Sequence, residues 1–311
     1  MKKSNKRRKI MQYLKEMDYS ELMKELLELT RKNEILRLSY IGNSILSRPI
    51  PLITIGEGTG DRGVLYVATH HATENICTSV LLNFISEYSK AYEKNEKLCG
   101  INARVLYNMR KIYIVPMLNP DGVEYRLHGI EETNPLYERM MKASGGDFSR
   151  WNANARGVDL NHNYDAGFLE YKQIENELQI TQGATKFSGE APESEPETSA
   201  LATFIRYNID NIGAILSLHS QGEEFYYKYN GVCPPKSEFL SKMIARMTSY
   251  KSADTHGTAS YGGLSDWFIK EYGRPSFTIE CGNGENPLPV SQIPRIYLDL
   301  RELLFTLPIL L

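Results

Sequence analysis

Val64-Leu65-Tyr66-Val67-Ala68-Thr69-His70-His71-Ala72-Thr73-Glu74 sets a continuous apolar run directly before a polar turn that holds two imidazoles and a carboxyl. The run has the length and composition of a buried strand. Apolar residues then recur at helical spacing, which predicts a long amphipathic helix over 73–92. A strand that feeds a helix through a polar turn is the unit of an α/β fold. Ligands collect in the crevice at the carboxyl ends of such strands.

Outward from this unit the alternation repeats. Residues 35–41 and 50–55 are β-type runs separated by Gly42-Asn43-Ser44, a turn signal that predicts one antiparallel edge. Ahead of them, 19–30 carries Leu22, Met23, Leu26, Leu27 and Leu29 at helical spacing, with Ser20 as the expected N-cap. Further strands are predicted at 111–117, 213–218 and 276–280, and helices at 194–207, 238–250, 265–272 and from 293 to about 306. The polar stretch 119–193 reads as loops with short helices. The expected fold is α/β, a three-layer sandwich with a mixed central sheet and helices on both faces. It forms one catalytic domain over 19–311, preceded by a basic extension, 1–18.

Composition narrows the function. The 311 residues carry 36 basic and 38 acidic side chains, so the chain lacks a global electrostatic footprint for nucleic acid. Its apolar runs are strand-sized, which excludes a membrane-spanning helix. Cys77, Cys99, Cys233 and Cys281 form no Cys-x-x-Cys pair, so neither a thiolate zinc cage nor a disulfide framework is expected. The basic run 2–9 is followed by Met11-Gln12-Tyr13-Leu14-Lys15-Glu16, not by the apolar stretch of a secretory signal. The run therefore reads as a solvated tail and the chain as cytoplasmic. Nothing in the sequence sets an oligomeric state. Gly58-Thr59-Gly60-Asp61-Arg62-Gly63 matches a dinucleotide-binding spacing, but a strand follows it where that motif needs a helix. It reads as a turn.

The chemistry gathers at strand ends. His71 and Glu74, three residues apart at a helix entry, can point to one side and are suitable ligands for Zn²⁺. Their spacing alone is common, and Glu74 could instead complement a helix dipole. A catalytic zinc keeps three protein ligands and an open position, and His219, which closes the strand 213–218, supplies the third. Glu280 ends the strand 276–280. A carboxylate there is costly to bury unless paired or functional, and a water-activating base is what such a site needs. The alternative is a salt bridge from Glu280 to Arg274.

These motifs, in this order, resemble those of the zinc carboxypeptidases of the carboxypeptidase A type, over nearly the whole chain from about Tyr19. His71-Ala72-Thr73-Glu74 and Ser217-Leu218-His219-Ser220 resemble the family's two zinc motifs. Asn119-Pro120-Asp121-Gly122 resembles its Asn-Pro-Asp-Gly turn, and Gly157-Val158-Asp159-Leu160-Asn161 its substrate-carboxylate loop. Phe277-Thr278-Ile279-Glu280 resembles the segment that bears the catalytic glutamate. The resemblance implies one Zn²⁺ on His71, Glu74 and His219, with Glu280 catalytic, in hydrolysis of a peptide or isopeptide amide bond. A narrower likeness, to bacterial γ-D-glutamyl-meso-diaminopimelate peptidases, rests on His70-His71-Ala72-Thr73-Glu74, Gln221-Gly222-Glu223-Glu224 and Gly284-Glu285-Asn286-Pro287-Leu288-Pro289. It implies a cell-wall muropeptide as substrate, in recycling or sporulation.

Three departures from the family pattern stand out. After Asn161 the family has an arginine that grips a carboxylate; here it is His162, a weaker and pH-sensitive donor. Asn161 and His162 remain the expected carboxylate holders. The family's oxyanion arginine follows a tryptophan, yet Asn152 follows Trp151, which leaves Arg150 and Arg156 as candidates. The family's mobile tyrosine falls at Thr258, with Tyr261 as a nearby substitute. Ser265 matches the base of the specificity pocket and disfavours a large apolar side chain. The His162 departure keeps a zinc deacylase or amidase on the same scaffold as an alternative. A non-catalytic peptide-binding relative is a second one.

Overall fold

The computed structural model describes residues 11–59 and 62–311. The basic run 2–9, and Gly60 and Asp61 of the glycine turn, lie outside the described residues. Residues 11–18, which the sequence assigns to the extension, pack on the domain. The Asn83 side chain accepts from the backbone N–H groups of Gln12 and Tyr13 and donates to the Tyr13 carbonyl. Met11, Tyr13 and Met17 are buried in the core beside it. Helix α1 (Tyr19–Lys32) is capped by Asp18, two residues earlier than the expected Ser20. Asp18 Oδ1 accepts the Glu21 N–H at 2.8 Å while the Glu21 carboxylate accepts the Asp18 N–H, a reciprocal capping box.

Strands β1 (Leu36–Asn43) and β2 (Pro49–Ile55) pair antiparallel, as the turn between them predicts. Then come β3 (Gly63–Ala68), helix α2 (Ile76–Glu93), and a ribbon of β4 (Lys97–Leu98) with β5 (Ile101–Asn102). Helix α3 (Ala103–Met109) leads to β6 (Ile112–Val115), followed by α4 (Pro120–His128), α5 (Tyr137–Ser144), α6 (Phe168–Glu177) and α7 (Pro196–Tyr207). The chain finishes with β7 (Ile212–His219), β8 (Glu224–Tyr226), α8 (Ser237–Thr248), β9 (Lys251–Ser252), α9 (Leu264–Tyr272), β10 (Ser276–Glu280) and α10 (Ile293–Leu310).

Eight strands form one mixed sheet in the order β1-β2-β6-β3-β7-β10-β8-β9. The four central strands β6, β3, β7 and β10 run parallel. The two-residue alternation of β3 assigns the layers. Val64, Tyr66 and Ala68 pack with α1, α2, α8 and α10, whereas Leu65 and Val67 face α7 and α9. This is the expected three-layer α/β sandwich. Helix α2 is buried on nearly every side, so even its polar residues are satisfied internally. Glu87, for example, accepts from Arg301 Nε at 2.8 Å and from Arg301 Nη2 at 2.7 Å. Truncating a core residue such as Phe84, which has no solvent exposure, should cost ~3–5 kcal/mol. The short strands β8 and β9, at one end of the sheet, escape the sequence reading because two or three residues carry no alternation.

Candidate metal centre and active site

Because β3, β7 and β10 are adjacent and parallel, their carboxyl ends open at one edge of the sheet. Each delivers one part of the site. Strand β3 exits at Thr69 with φ 60, a strained conformation for a β-branched residue. The Thr69 hydroxyl is tied to that of Thr78 at 2.9 Å. The backbone then passes His70 and His71 into a single 3-10 turn, Ala72–Glu74, ahead of α2. The Asn119-Pro120-Asp121-Gly122 turn clamps this exit. Asn119 donates to the carbonyls of His70 at 3.0 Å and Ala153 at 3.1 Å, and accepts the Gly122 N–H at 2.9 Å. A Cβ at Gly122 would lie 2.3 Å from the Ala153 carbonyl oxygen, so only glycine lets the two loops meet.

His71, Glu74 and His219 converge. His71 Nδ1 lies 2.9 Å from Glu74 Oε1, His219 Nδ1 lies 2.9 Å from Glu74 Oε2, and the two Nδ1 atoms are 3.3 Å apart. That spacing is close to the edge of a tetrahedron whose centre is ~2.0 Å from each corner, the usual Zn–N distance. The nitrogen and oxygen donors also suit Zn²⁺, so the residues fit the ion. Both Glu74 oxygens face the imidazoles. Burial opposes ionisation of Glu74, and the two imidazoles reverse that, holding its carboxyl below the usual range.

Surrounding residues fix the rings. Asp159 Oδ1 meets His71 Nε2 at 2.9 Å, and Asp159 Oδ2 accepts the Lys186 N–H at 2.9 Å. Despite its burial, the neighbouring His71 holds this carboxyl well below its ordinary value. A carboxylate on the far nitrogen of a ligand imidazole sets its tautomer and strengthens its basicity. His70 stacks on the His219 ring with centroids 5.3 Å apart and bonds the Tyr164 hydroxyl at 3.0 Å. Burial pushes the His70 imidazole well below its usual range, and the other imidazoles add to this, so it packs as a neutral wall. Asn286 donates to Glu74 Oε1 at 3.3 Å and exchanges hydrogen bonds with Ser220, closing the ring of supports. The sequence reading contains Asp159 and Asn286 inside its motifs but gives them no role. Their spacing to a ligand emerges only in space.

Glu280 is paired in register with His219 across β10 and β7. Burial, and next the charge of Glu74, push its carboxyl well above the usual range. Arg274 does not meet it. That guanidinium donates to the carbonyls of Ile209 and Ile212. Glu280 and His71 instead share a cavity of about 250 Å³ with Asn161, His162, Tyr261 and Ser265. Thr258, the position of the family's tyrosine, also lines it. Asn161 Oδ1 accepts the Leu264 N–H at 3.2 Å, which leaves the amide nitrogen to donate. Ser265 Oγ accepts from Thr278 on the cavity floor at 2.9 Å. His162 is more constrained than its position in the sequence implies: Nδ1 meets the Tyr261 carbonyl at 2.8 Å and the ring stacks on Tyr171 at 4.0 Å.

The two candidate arginines depart from expectation, since neither lines the cavity. Arg150 is exposed and pairs with Glu285 at 3.1 Å. Arg156 is held by Glu195 at 3.0 Å and by the Ser194 carbonyl at 3.2 Å. Asn152, at the position of the family's arginine, accepts from Thr73 and so braces the 3-10 turn. The cationic lining comes from Lys186 and Lys228, neither of which forms an ion pair among the described residues. No motif marks them in the sequence.

Fold and site together define a zinc-dependent hydrolase of peptide bonds. A sequence model described as zinc carboxypeptidase matches residues 21–302, and the chain belongs to that family. It is 35 % identical over 282 residues to gamma-D-glutamyl-L-diamino acid endopeptidase 1 of Lysinibacillus sphaericus, an alignment covering 90 % of this chain and 69 % of that one. The structure of thrombin activatable fibrinolysis inhibitor superposes with a TM-score of 0.73 at 21 % identity, covering 95 % of this chain and 77 % of the other. The murein-tripeptide amidase MpaA from Escherichia coli O157 superposes with a TM-score of 0.54 at 18 % identity, over 87 % of this chain and 97 % of that one. These two structural likenesses show the fold. One Zn²⁺ is the cofactor of this family. No helix among the described residues is long and apolar enough to cross a membrane.

Proposed function

We propose that this zinc peptidase hydrolyses the amide bond between a γ-D-glutamyl residue and a diamino acid, such as meso-diaminopimelate, in cell-wall peptides. The observation that carries the reading is the lining of the cavity beside the metal ligands. It presents two ammonium groups, Lys186 and Lys228, and a carboxyl, Asp266, none of which forms an ion pair among the described residues, with the small polar Ser265 at the base. Such a lining favours a substrate bearing several carboxylates and an amine over one with a large apolar side chain. The activity in the name of the Lysinibacillus sphaericus relative agrees with it.

His71, Glu74 and His219 would hold the ion. When bound, Zn²⁺ supplies Lewis acidity and lowers the pKa of water. Glu280 then accepts a proton from the attacking water and returns it to the leaving nitrogen. Asp159 keeps His71 in its ligating tautomer. The free amide nitrogen of Asn161 donates to a carboxylate of the leaving amino acid, and Lys186 and Lys228 add cationic partners where the family arginine is missing. The deacylase alternative draws on His162 alone, and that ring is engaged with Tyr261 and Tyr171. The four free cysteines accord with a reducing compartment, and a cytoplasmic site of action in recycling or sporulation forms part of the proposal.

The test is incubation of zinc-loaded protein with L-Ala-γ-D-Glu-meso-diaminopimelate beside α-linked peptides of matched length. Release of free diaminopimelate with little cleavage of the α-linked set is expected. Cleavage of the α-linked peptides alone would discard the substrate and keep the family.

A further inference from the structure

His162 stands where the family has a cationic donor, yet its ring offers the cavity an acceptor. Its Nδ1 lies 2.8 Å from the Tyr261 carbonyl oxygen. A carbonyl only accepts, so Nδ1 carries the proton and the neutral ring keeps a lone pair at Nε2. Burial pushes the imidazole below its usual range, which favours that neutral form. Tyr171 stacks on one face of the ring. Nε2 has no hydrogen-bond partner among the described residues and is not among the sealed polar atoms of the core. Its lone pair therefore opens on the cavity that His162 lines.

Asn161, the residue before it, presents the reverse. Its Oδ1 accepts the Leu264 N–H, so its amide nitrogen is the group left to donate. A donor and an acceptor on adjacent residues complement a peptide group, which offers one C=O and one N–H. A carboxylate offers acceptors alone and would set its charge against the Nε2 lone pair. There is also room for a chain that continues. A second cavity, of about 310 Å³, adjoins the first, with Tyr226, Lys228, Thr255 and Tyr261 in the walls of both. Tyr261, whose carbonyl sets the tautomer of His162, is thus also a boundary between the two spaces.

We propose that His162 is a specificity residue of this peptidase, accepting at Nε2 the N–H of a main-chain amide that follows the leaving residue. Asn161 donates to the carbonyl oxygen of that same amide, and the second cavity receives the residue beyond it. The inference rests on the reading above for the leaving diamino acid and adds that its α-carboxyl is amide-bonded onward. The experiment gives zinc-loaded enzyme L-Ala-γ-D-Glu-meso-diaminopimelate with the α-carboxyl beside the scissile nitrogen made either an N-methylamide or a methyl ester. The two differ by an N–H in place of an oxygen. The unaltered enzyme should favour the amide in kcat/KM by about 3–10-fold, the scale of a neutral hydrogen bond. His162→Phe keeps a ring against Tyr171 and removes both nitrogens, and should bring the ratio to within about twofold. Equal rates with the unaltered enzyme, or an unchanged ratio in the variant, overturn the assignment while the substrate reading stands. Cleavage of α-linked peptides alone removes that reading, and the same two end groups on the α-linked peptide then decide the role of His162 by the same ratio. If the variant does not fold, inhibition of the unaltered enzyme by the N-methylamide and the methyl ester of the free diamino acid reads the same contact. Stronger inhibition by the amide is expected, and equal inhibition overturns the assignment.

Discussion

The two walls of the active site are built on opposite rules. On the side of the sheet edge, the polar groups of His71, Glu74, His219 and Asp159 answer one another at about hydrogen-bond distance. On the cavity side, Lys186, Lys228 and Asp266 line open space and form no ion pair among the described residues. On the proposed function the first wall would hold an ion, where misplacement by a fraction of an ångström would weaken coordination. The second is left without ion pairs among the described residues, and on the proposed function substrate charge would complete it. Mutations should therefore separate, with chemistry and metal binding lost at one wall and substrate affinity at the other.

The largest effect belongs to Glu280. Glu280→Gln keeps the shape and removes the base, so kcat should fall by about 10²–10⁴-fold while KM changes little. Steady-state kinetics on the γ-linked peptide checks this, and near-normal turnover would take Glu280 out of the mechanism. Next comes Asp159→Asn. With the partner of His71 Nε2 neutralised, zinc affinity should drop by about 10–100-fold, read by competition against a chelator. Retained affinity would break the claim that this wall acts as a unit.

Substitution of Lys186 or Lys228 by Ala should raise KM by roughly tenfold at low salt and leave kcat largely intact. Both lysines are exposed, so the effect should shrink as salt rises. A loss confined to kcat would move either lysine from the binding wall to the reacting centre.

The smallest effect lies away from both walls, at Glu197. Its carboxyl accepts from the Ile45 N–H at 3.1 Å and from Asn154 at 3.3 Å, yet burial, reinforced by Asp121, pushes it up to about 8. Hydrogen bonds alone do not compensate a buried acid beside another acid. Since the folded state binds this proton more tightly than the unfolded chain, its contribution is full below about pH 4.5. It is lost as pH rises through 8. Glu197→Gln should therefore melt ~2–4 °C above the unaltered protein at pH 8.5, with the difference gone at pH 5. Thermal denaturation at the two pH values measures it, and an equal difference at both would show that ionisation is not the cause.

Much of the architecture was legible because its signals are local. The apolar run before Thr69 and the helical spacing after it locate β3 and α2, and Gly42-Asn43-Ser44 locates the β1–β2 hairpin. Where the reading fell short, the deciding contact was distant or too brief to leave a period. Residues 11–17 read as part of a tail, yet Asn83, far along the chain, draws them into the core. The cap of α1 was misplaced by the nearest hydroxyl, because the reciprocal bond of Asp18 with Glu21 outweighs it. In the site, the three candidate ligands and Glu280 sit at strand ends or in the turn just after one, where adjoining sequence announces them. Arg150 and Arg156 looked equally available, and only their acidic partners Glu285 and Glu195 remove them from the cavity.

Sequence by itself determined the main alternation of strands and helices, the residue types at the strand ends and the chemistry those types permit, since each is a property of a residue and its near neighbours. Tertiary structure alone decided which charges are cancelled and which remain for a ligand. Asp159 is spent on His71 while Asp266 is kept open, and both are aspartates near polar loops in the chain. The difference is physical: the energy of a charge depends on the groups within a few ångströms of it, and folding, not chain order, chooses those groups.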